Sequence, residues 1–299
     1  MAITLNAQQT MWIVALLMLP GLGGMVVQWG VGIVWNIALL CTFCALTESV
    51  CAALRGQAMR ASLGDGTWLI TALIISACLP PSTSIGALAL AAVGAIALTK
   101  HLYGGLGRNL FNPAMVGYAL VLVCYPQLLN TWPSAQETDA LSGATLLTEF
   151  RYRTGMTEFE FLQQNEFTGA WLAWLFAAGG GAMVLLKIIP WRLPVAACLG
   201  LGLAALVGSD QGSSVGHGSF EFHLFAGGFV FAAFFVVTDP ITHPRTAAHQ
   251  WIFGICVGLL TYLIRAYGVY PDGIAFAVLL ANCLTPLLDR YASTREVNA

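Results

Sequence analysis

The sequence is a succession of apolar runs separated by short polar joints, and those runs decide the class of fold. A helix needs about 20 apolar residues to cross a bilayer core. Ten candidate spans, two of them clearly short, can be drawn: 11–30, 31–54, 67–79, 83–99, 113–129, 168–189, 193–208, 222–237, 250–266 and 273–288. Inside lipid every backbone N–H and C=O must be bonded within the protein, so runs of this kind fold as helices. The prediction is an all-α polytopic membrane protein with about ten transmembrane helices. Charge agrees, because only 9% of the 299 residues are Asp, Glu, Lys or Arg, against about 25% in a soluble domain. No basic patch with interleaved aromatics is present, so no nucleic acid partner is expected. The first ten residues, "MAITLNAQQT", carry no basic segment, and the expectation is that they are not a cleaved signal.

The positions of Lys and Arg set the orientation. With both termini cytoplasmic, the inner side receives Arg55, Arg60, Lys100, Arg108, Lys187, Arg192, Arg245, Arg290 and Arg295. The outer side receives Arg151, Arg153 and Arg265. The opposite orientation would invert that asymmetry. The polar stretch 131–167 therefore lies outside. Seven Trp (12, 29, 68, 132, 171, 191 and 251) fall near span ends, as an interfacial belt would.

The third and eighth runs are the short ones. The third ends in "LPPS" and the eighth runs into "TDPITHP". Two later junctions rhyme as well. Tyr103-Gly104 precedes Pro113 and an apolar span, and Tyr267-Gly268 precedes Pro271 and another. Five spans separate each matched pair. This predicts two inverted five-helix repeats, 1–130 and 168–299, with broken helices at matching places and the outer loop 131–167 between them. Broken helices at corresponding positions point to a site near the midplane. A Pro that merely ends a short helix is the simpler reading.

Two acids lie close to the membrane interior, Glu48 and Asp239. Acids at that depth are costly and often belong to ion pathways. Both also stand near inner span ends, where an ordinary interfacial acid would sit, as do His243 and His249. Cys41 and Cys44 form a lone CxxC. With no second pair and no His nearby it reads as small apolar residues in a packed helix rather than half a metal site. The Gly-rich stretches Gly104–Gly107 and Gly179–Gly181 read as helix packing, with close approach of a cofactor as the alternative.

One segment of the outer loop has a composition of its own: "DALSGATLLTEF", residues 139–150. It sets Asp139 ahead of Ser142, Gly143, Ala144 and Thr145. By spacing alone this is a solvated turn. It is also what a hydroxyl needs if another enzyme is to modify it, because small neighbours leave Thr145 accessible and Asp139 could help bring in a metal-bound phosphate donor.

Asp139 with "SGAT" resembles the D-g-x-S-G-A-T flavinylation motif, with Ala140 where the motif usually has Gly. In a ten-span chain, this resembles the family that holds the D subunit of Rnf (Rsx) ion-translocating electron-transport complexes and the B subunit of the sodium-translocating NADH:quinone reductase. "KHLYGGLGRNLFNPAMVGY" (100–118), "FFVVTDP" (234–240) and "YPDGIAFAVLLAN" (270–282) carry the same resemblance to the Rnf member. It implies FMN joined to Thr145 through a phosphoester, installed by a flavin transferase, in a bacterial inner-membrane subunit whose Thr145 loop is periplasmic. It implies a second, non-covalent flavin, Rnf subunits A, B, C, E and G as partners with G nearest in electron transfer, and coupling of ferredoxin/NAD electron transfer to Na⁺ or H⁺ translocation. A solute channel or transporter is the competing class, favoured by the repeat alone. A cofactor-free scaffold subunit is the third. Thr145 separates them, since neither alternative needs a flavinylated outer loop.

Overall fold

The protein is described from a computed structural model covering residues 6–130, 132–133, 146–164, 170–209, 214–270 and 272–297. Among these residues there is no strand, and the elements are helices: α1 (Ala7–Trp29), α2 (Gly32–Leu54), α3 (Met59–Gly64), α4 (Thr67–Cys78), α5 (Ile85–Val93, continued as a π-helix over Gly94–His101), α6 (Pro113–Cys124, followed by a 3₁₀ turn at Pro126–Asn130), α7 (Leu146–Arg151), α8 (Glu158–Gln164), α9 (Ala170–Leu185), α10 (Arg192–Gly208), α11 (Phe220–Phe225), α12 (Phe229–Phe235), α13 (Ala247–Tyr267) and α14 (Ile274–Val297).

Local chemistry starts these helices where the sequence allows. Asn6 and Gln9 form a reciprocal capping box at α1, with Gln9 N donating to Asn6 Oδ1 at 2.7 Å and Asn6 N donating to Gln9 Oε1 at 3.1 Å. Asn112 caps α6, whose first residue is Pro113. Ser219 and Thr246 cap α11 and α13.

Among the described residues, four helices are long and apolar enough to cross a membrane: Gln8–Trp29, Gly32–Leu54, Ala247–Tyr267 and Ile274–Tyr291. Five more are apolar but shorter, at 10–17 residues. The 12 residues of α4 rise only about 18 Å, well short of a core of about 30 Å. Two expectations need correction in detail. The run 222–237 is not one helix but two, α11 and α12, parted at Ala226–Gly228, where Gly227 takes φ +70°. The run 113–129 stops being α-helical at Cys124, ahead of Pro126, whose ring cannot continue the helix. The short helices α3, α7 and α8 were not expected, because six or seven residues show too little periodicity to read.

The surface is apolar. Val207 is 91% exposed, Leu185 84% and Leu54 83%. Such faces suit a hydrocarbon solvent, and exposed apolar patches this extensive are foreign to soluble monomers. The main interior cluster includes Met18, Ile33, Leu40, Ile75, Leu88, Met115, Phe229, Phe253 and Tyr262.

Helix packing follows small residues. A side chain at Gly258 would meet the Ala197 carbonyl, one at Gly200 would meet the Ile255 carbonyl, and one at Gly254 would lie 2.5 Å from Ala196 Cβ. This is why α10 lies so close to α13. In the same way α9 fits α1 at Gly179 and α12 at Gly180, while Gly181 faces open space. Packing, rather than a cofactor, thus explains the Gly179–Gly181 stretch. The contacts α1 with α4, α2 with α5 and α5 with α6 are matched by α9 with α12, α10 with α13 and α13 with α14, and the two sets meet where α1 packs on α9 and α6 on α14.

The break after α4 is tied down by side chains. Past Cys78, Pro80 and Pro81 end α4, and the Pro80 carbonyl accepts from Asn36 Nδ2 at 2.8 Å and Thr83 Oγ1 at 2.6 Å. Non-helical backbone at this depth is tolerated only when buried in protein in this way.

Candidate functional site

One cavity joins the two sets of helices, with about 860 Å³ of empty space, part of it open to the outside. Its walls come from α1 (Thr10, Met11, Val14), α4 (Thr67, Thr71), the loop into α6 (Asn109, Asn112), the end of α9 and the turn after α12 (Thr238, Asp239, Ile241). Its lining is apolar with a few fixed polar groups.

Asp239 is held at the rim of this cavity. Its Oδ2 accepts from Thr242 Oγ1 at 3.1 Å and Asn112 Nδ2 at 3.4 Å, and its Oδ1 from Ile241 N at 3.3 Å. Asn112 is fixed in turn, because its own N–H donates to Asn282 Oδ1 of α14 at 3.0 Å. The Asp-Pro turn is thereby tied to α6 and α14. The chain leaves the helix after Phe235, and Asn112 Nδ2 also donates to the Val236 carbonyl of this turn at 3.5 Å.

Glu48 belongs to a buried charge cluster that reaches the same cavity. Lys100 lies 2.9 Å from Glu48 Oε1, 3.2 Å from Asp65 Oδ2 and 2.8 Å from Thr67 Oγ1. Ser62 also donates to Glu48 Oε1. His101 Nε2 approaches that oxygen at 3.2 Å without hydrogen-bond alignment. Arg55 faces His101 Nδ1 at 3.2 Å. A guanidinium can only donate, so Nδ1 accepts and the proton sits on Nε2, toward Glu48. Glu48 Oε2 is buried and has no partner among the described residues. The π-helical winding of Gly94–His101 places this cluster: Thr99 Oγ1 bonds the Gly94 carbonyl five residues back, at 2.9 Å, and Lys100 turns inward. Wide turns of this type recur at functional positions. Lys100 lines the cavity that Asp239 rims. The two acids singled out in the sequence therefore stand at one site, Asp239 directly and Glu48 through Lys100. Glu48 is fully buried, whereas Asp239 is half-buried. His249 Nδ1 and Glu48 Oε2 are both buried without partners among the described residues, but His243 is engaged with the Pro244 carbonyl at 2.8 Å.

Asp139, Ser142, Gly143, Ala144 and Thr145 lie outside the described residues. The helix immediately after them, α7, is described. Its Leu147 and Phe150 join a second, smaller core with Phe161, Phe222 and Ala226. Phe150 stacks near Phe222 at 4.2 Å between ring centres. Arg153 lies over Phe150 and donates to the carbonyls of Phe150, at 2.7 Å, and Gly216, at 2.5 Å. Burial draws the Arg153 guanidinium below its ordinary pKa, opposed by Glu158. Beside this cluster, Arg265 pairs with Asp272 at 3.2 Å, its side chain 1% exposed. These groups stand beside the C-terminal end of α13 and the N-terminal end of α14, and none of them lines the Asp239 cavity. Lys100, Asn112 and the Arg265–Asp272 pair were not expected. One signal was available: Lys100 and Arg265 stand just before the two Tyr-Gly pairs.

Of the eight Cys, Cys44 is buried in the core and Cys41 half-buried, and no group of metal-binding side chains is found among the described residues.

These features define a class: a multi-pass helical membrane protein with broken helices and a polar-rimmed cavity between two helix groups. Residues 2–298 match the model of the NQR2, RnfD, RnfE family, and the chain belongs to that family. It is 36% identical to the D subunit of the ion-translocating oxidoreductase complex of Sodalis glossinidius, over 97% of this chain and 94% of that protein. It is 35% identical to the protein of the same description from Pseudomonas aeruginosa, over 92% and 87%, and to that from Klebsiella pneumoniae, over 98% and 96%.

Proposed function

We propose that the chain is the D subunit of an Rnf-type ion-translocating oxidoreductase, a bacterial inner-membrane flavoprotein with both termini cytoplasmic and the Thr145 loop periplasmic. Family membership and the names of its relatives support its place in such a complex, beside subunits A, B, C, E and G. The observation that carries the cofactor reading is the motif Asp139–Thr145 followed directly by α7, whose Leu147 and Phe150 are anchored in the outer core. A modified Thr145 would be held close to the body of the protein. FMN joined there by a phosphoester supplies the redox chemistry, and the chain's residues position it. Electrons pass to and from it within a ferredoxin/NAD route, with the G subunit as the neighbouring flavoprotein.

A second, non-covalent flavin is assigned to the Asp239 cavity, which both helix sets line. Asn109, Asn112 and Thr71 line it among apolar walls from Val14, Ile74 and Phe235. The matched packing of α1–α6 and α9–α14 supports two inverted repeats, 1–130 and 168–299, about that cavity. Glu48 and Asp239 are assigned to the ion pathway, for Na⁺ or H⁺.

The test is ultraviolet fluorescence of the denatured band, with intact mass, for the wild type and Thr145→Val, each co-expressed with a flavin transferase. A fluorescent band one FMN heavier, absent in the variant, is expected. A dark wild-type band of unmodified mass would remove the cofactor. In the same preparations Asp239→Asn is expected to lower ion movement, and unchanged ion movement would take Asp239 out of the pathway.

A further inference from the structure

The loop between α2 and α4 closes on the Glu48 cluster. It carries the short helix α3, which contributes no buried residue. Polar bonds hold it instead. Ser62 Oγ donates to Glu48 Oε1, and the Leu63 carbonyl accepts from Trp68 Nε1 at 2.9 Å. An element with so few buried apolar contacts opens more readily than the helices around it.

The two roots of this loop are fixed, and a glycine stands inside each. At the first root Arg55 Nη2 donates to the Gly104 carbonyl at 2.7 Å, and Gly56 follows with φ +64°. At the second root Asp65 Oδ1 accepts from Thr67 N at 2.8 Å and Thr67 Oγ1 at 2.7 Å, and Gly64 precedes it. A side chain at Gly56 or Gly64 would meet nothing within 4 Å. Packing therefore does not require glycine at either place, and what glycine adds there is freedom of the backbone.

Beneath α3 the side chains of Lys100 and Glu48 are 5% and 0% exposed. Lys100 has Asp65 and Thr67 as partners besides Glu48, so it does not depend on Ser62. Glu48 Oε2 has no partner among the described residues. Two carboxylates face one ammonium here, while Arg55 adds its charge only at the exposed rim. The balance suits one monovalent cation.

Resting on the reading that Glu48 belongs to the ion pathway, we propose that α3 is a lid, hinged at Gly56 and Gly64, whose opening admits the cation to Glu48 from the side on which Arg55 and Arg60 lie. Opening takes the Ser62 hydroxyl off Oε1 and lets water reach a carboxylate that has acceptor capacity to spare. Closure returns Ser62 and seals the site from that side.

The chain has two lysines, Lys100 under the lid and the exposed Lys187. Acetylation by a water-soluble amine reagent, read at each lysine by peptide mass in the purified full chain, thus carries its own reference. In the wild type Lys100 is expected to react far more slowly than Lys187. Ser62→Ala and Trp68→Phe each remove one bond of the lid and leave the partners of Lys100 in place. Each is expected to raise the Lys100 rate about fivefold relative to Lys187, the effect of one hydrogen bond, with faster hydrogen exchange confined to 57–64. Equal rates at the two lysines in the wild type would overturn the lid. So would Lys100 rates that do not change in either variant, or that rise only together with exchange throughout α2 and α4. Ion movement by Glu48→Gln tests the pathway reading separately. If it is unchanged, Glu48 leaves the pathway and α3 is a cover with no ion to admit, whatever the labelling shows.

Discussion

At the scale of residues, the Glu48–Lys100 pair is a fully buried ion pair. Taking two charges out of water costs several kcal/mol each, and Ser62, Asp65 and Thr67 offset part of that cost by bonding Glu48 Oε1 and Lys100. Removing one partner strands the other. Lys100→Met is expected to destabilise the protein by about 3–5 kcal/mol, while Lys100→Met with Glu48→Gln recovers most of that loss. Thermal unfolding in detergent checks this cycle. If the double variant were as unstable as Lys100→Met, the unpaired charge would not be the cause.

At the scale of elements, glycines decide how near the helices come. Gly258 faces the Ala197 carbonyl across α10 and α13, whereas Gly181 of α9 faces open space. Both are helical glycines, so propensity treats them alike. Packing does not. Gly258→Ala is expected to cost about 1–3 kcal/mol through overpacking. Gly181→Ala is expected to be neutral or to stabilise by about 0.5–1 kcal/mol. A melting comparison of the two settles it, and equal shifts would show that α10 and α13 can part without cost. The glycine clusters were visible in the sequence, but which of their members touch a neighbour was not, because that depends on the rotation of each helix about its axis.

At the scale of the whole molecule, the two charge pairs occupy opposite ends. Lys100 closes the fourth span and Arg265 the ninth, each just before a Tyr-Gly pair, and Asn112 and Asp272 stand at the starts of the next helices. In the proposed inverted repeat these are equivalent positions on opposite sides of the membrane. Orientation then follows from the uneven distribution of Lys and Arg. Alkaline phosphatase fused after Gln136 is expected to be active in cells, and fused after Gly56 inactive. The reverse pattern would invert the topology and put Thr145 inside.

Apolar runs, Pro and Lys/Arg placement were enough for an all-helical membrane chain, for short interrupted helices at 79–82 and 238–240, and for Glu48 and Asp239 as the acids to watch. These are properties of local composition, and the bilayer leaves few folds open to it. Tertiary structure decided the rest. It split 222–237 at Ala226–Gly228, gave Glu48 a lysine 52 positions away, brought Asp239 to the cavity that Lys100 lines, and set Leu147 beside Gly227 and Arg265. Those contacts join segments far apart in sequence. Their partners are chosen by how helices pack, and that is settled only when the whole interior closes at once.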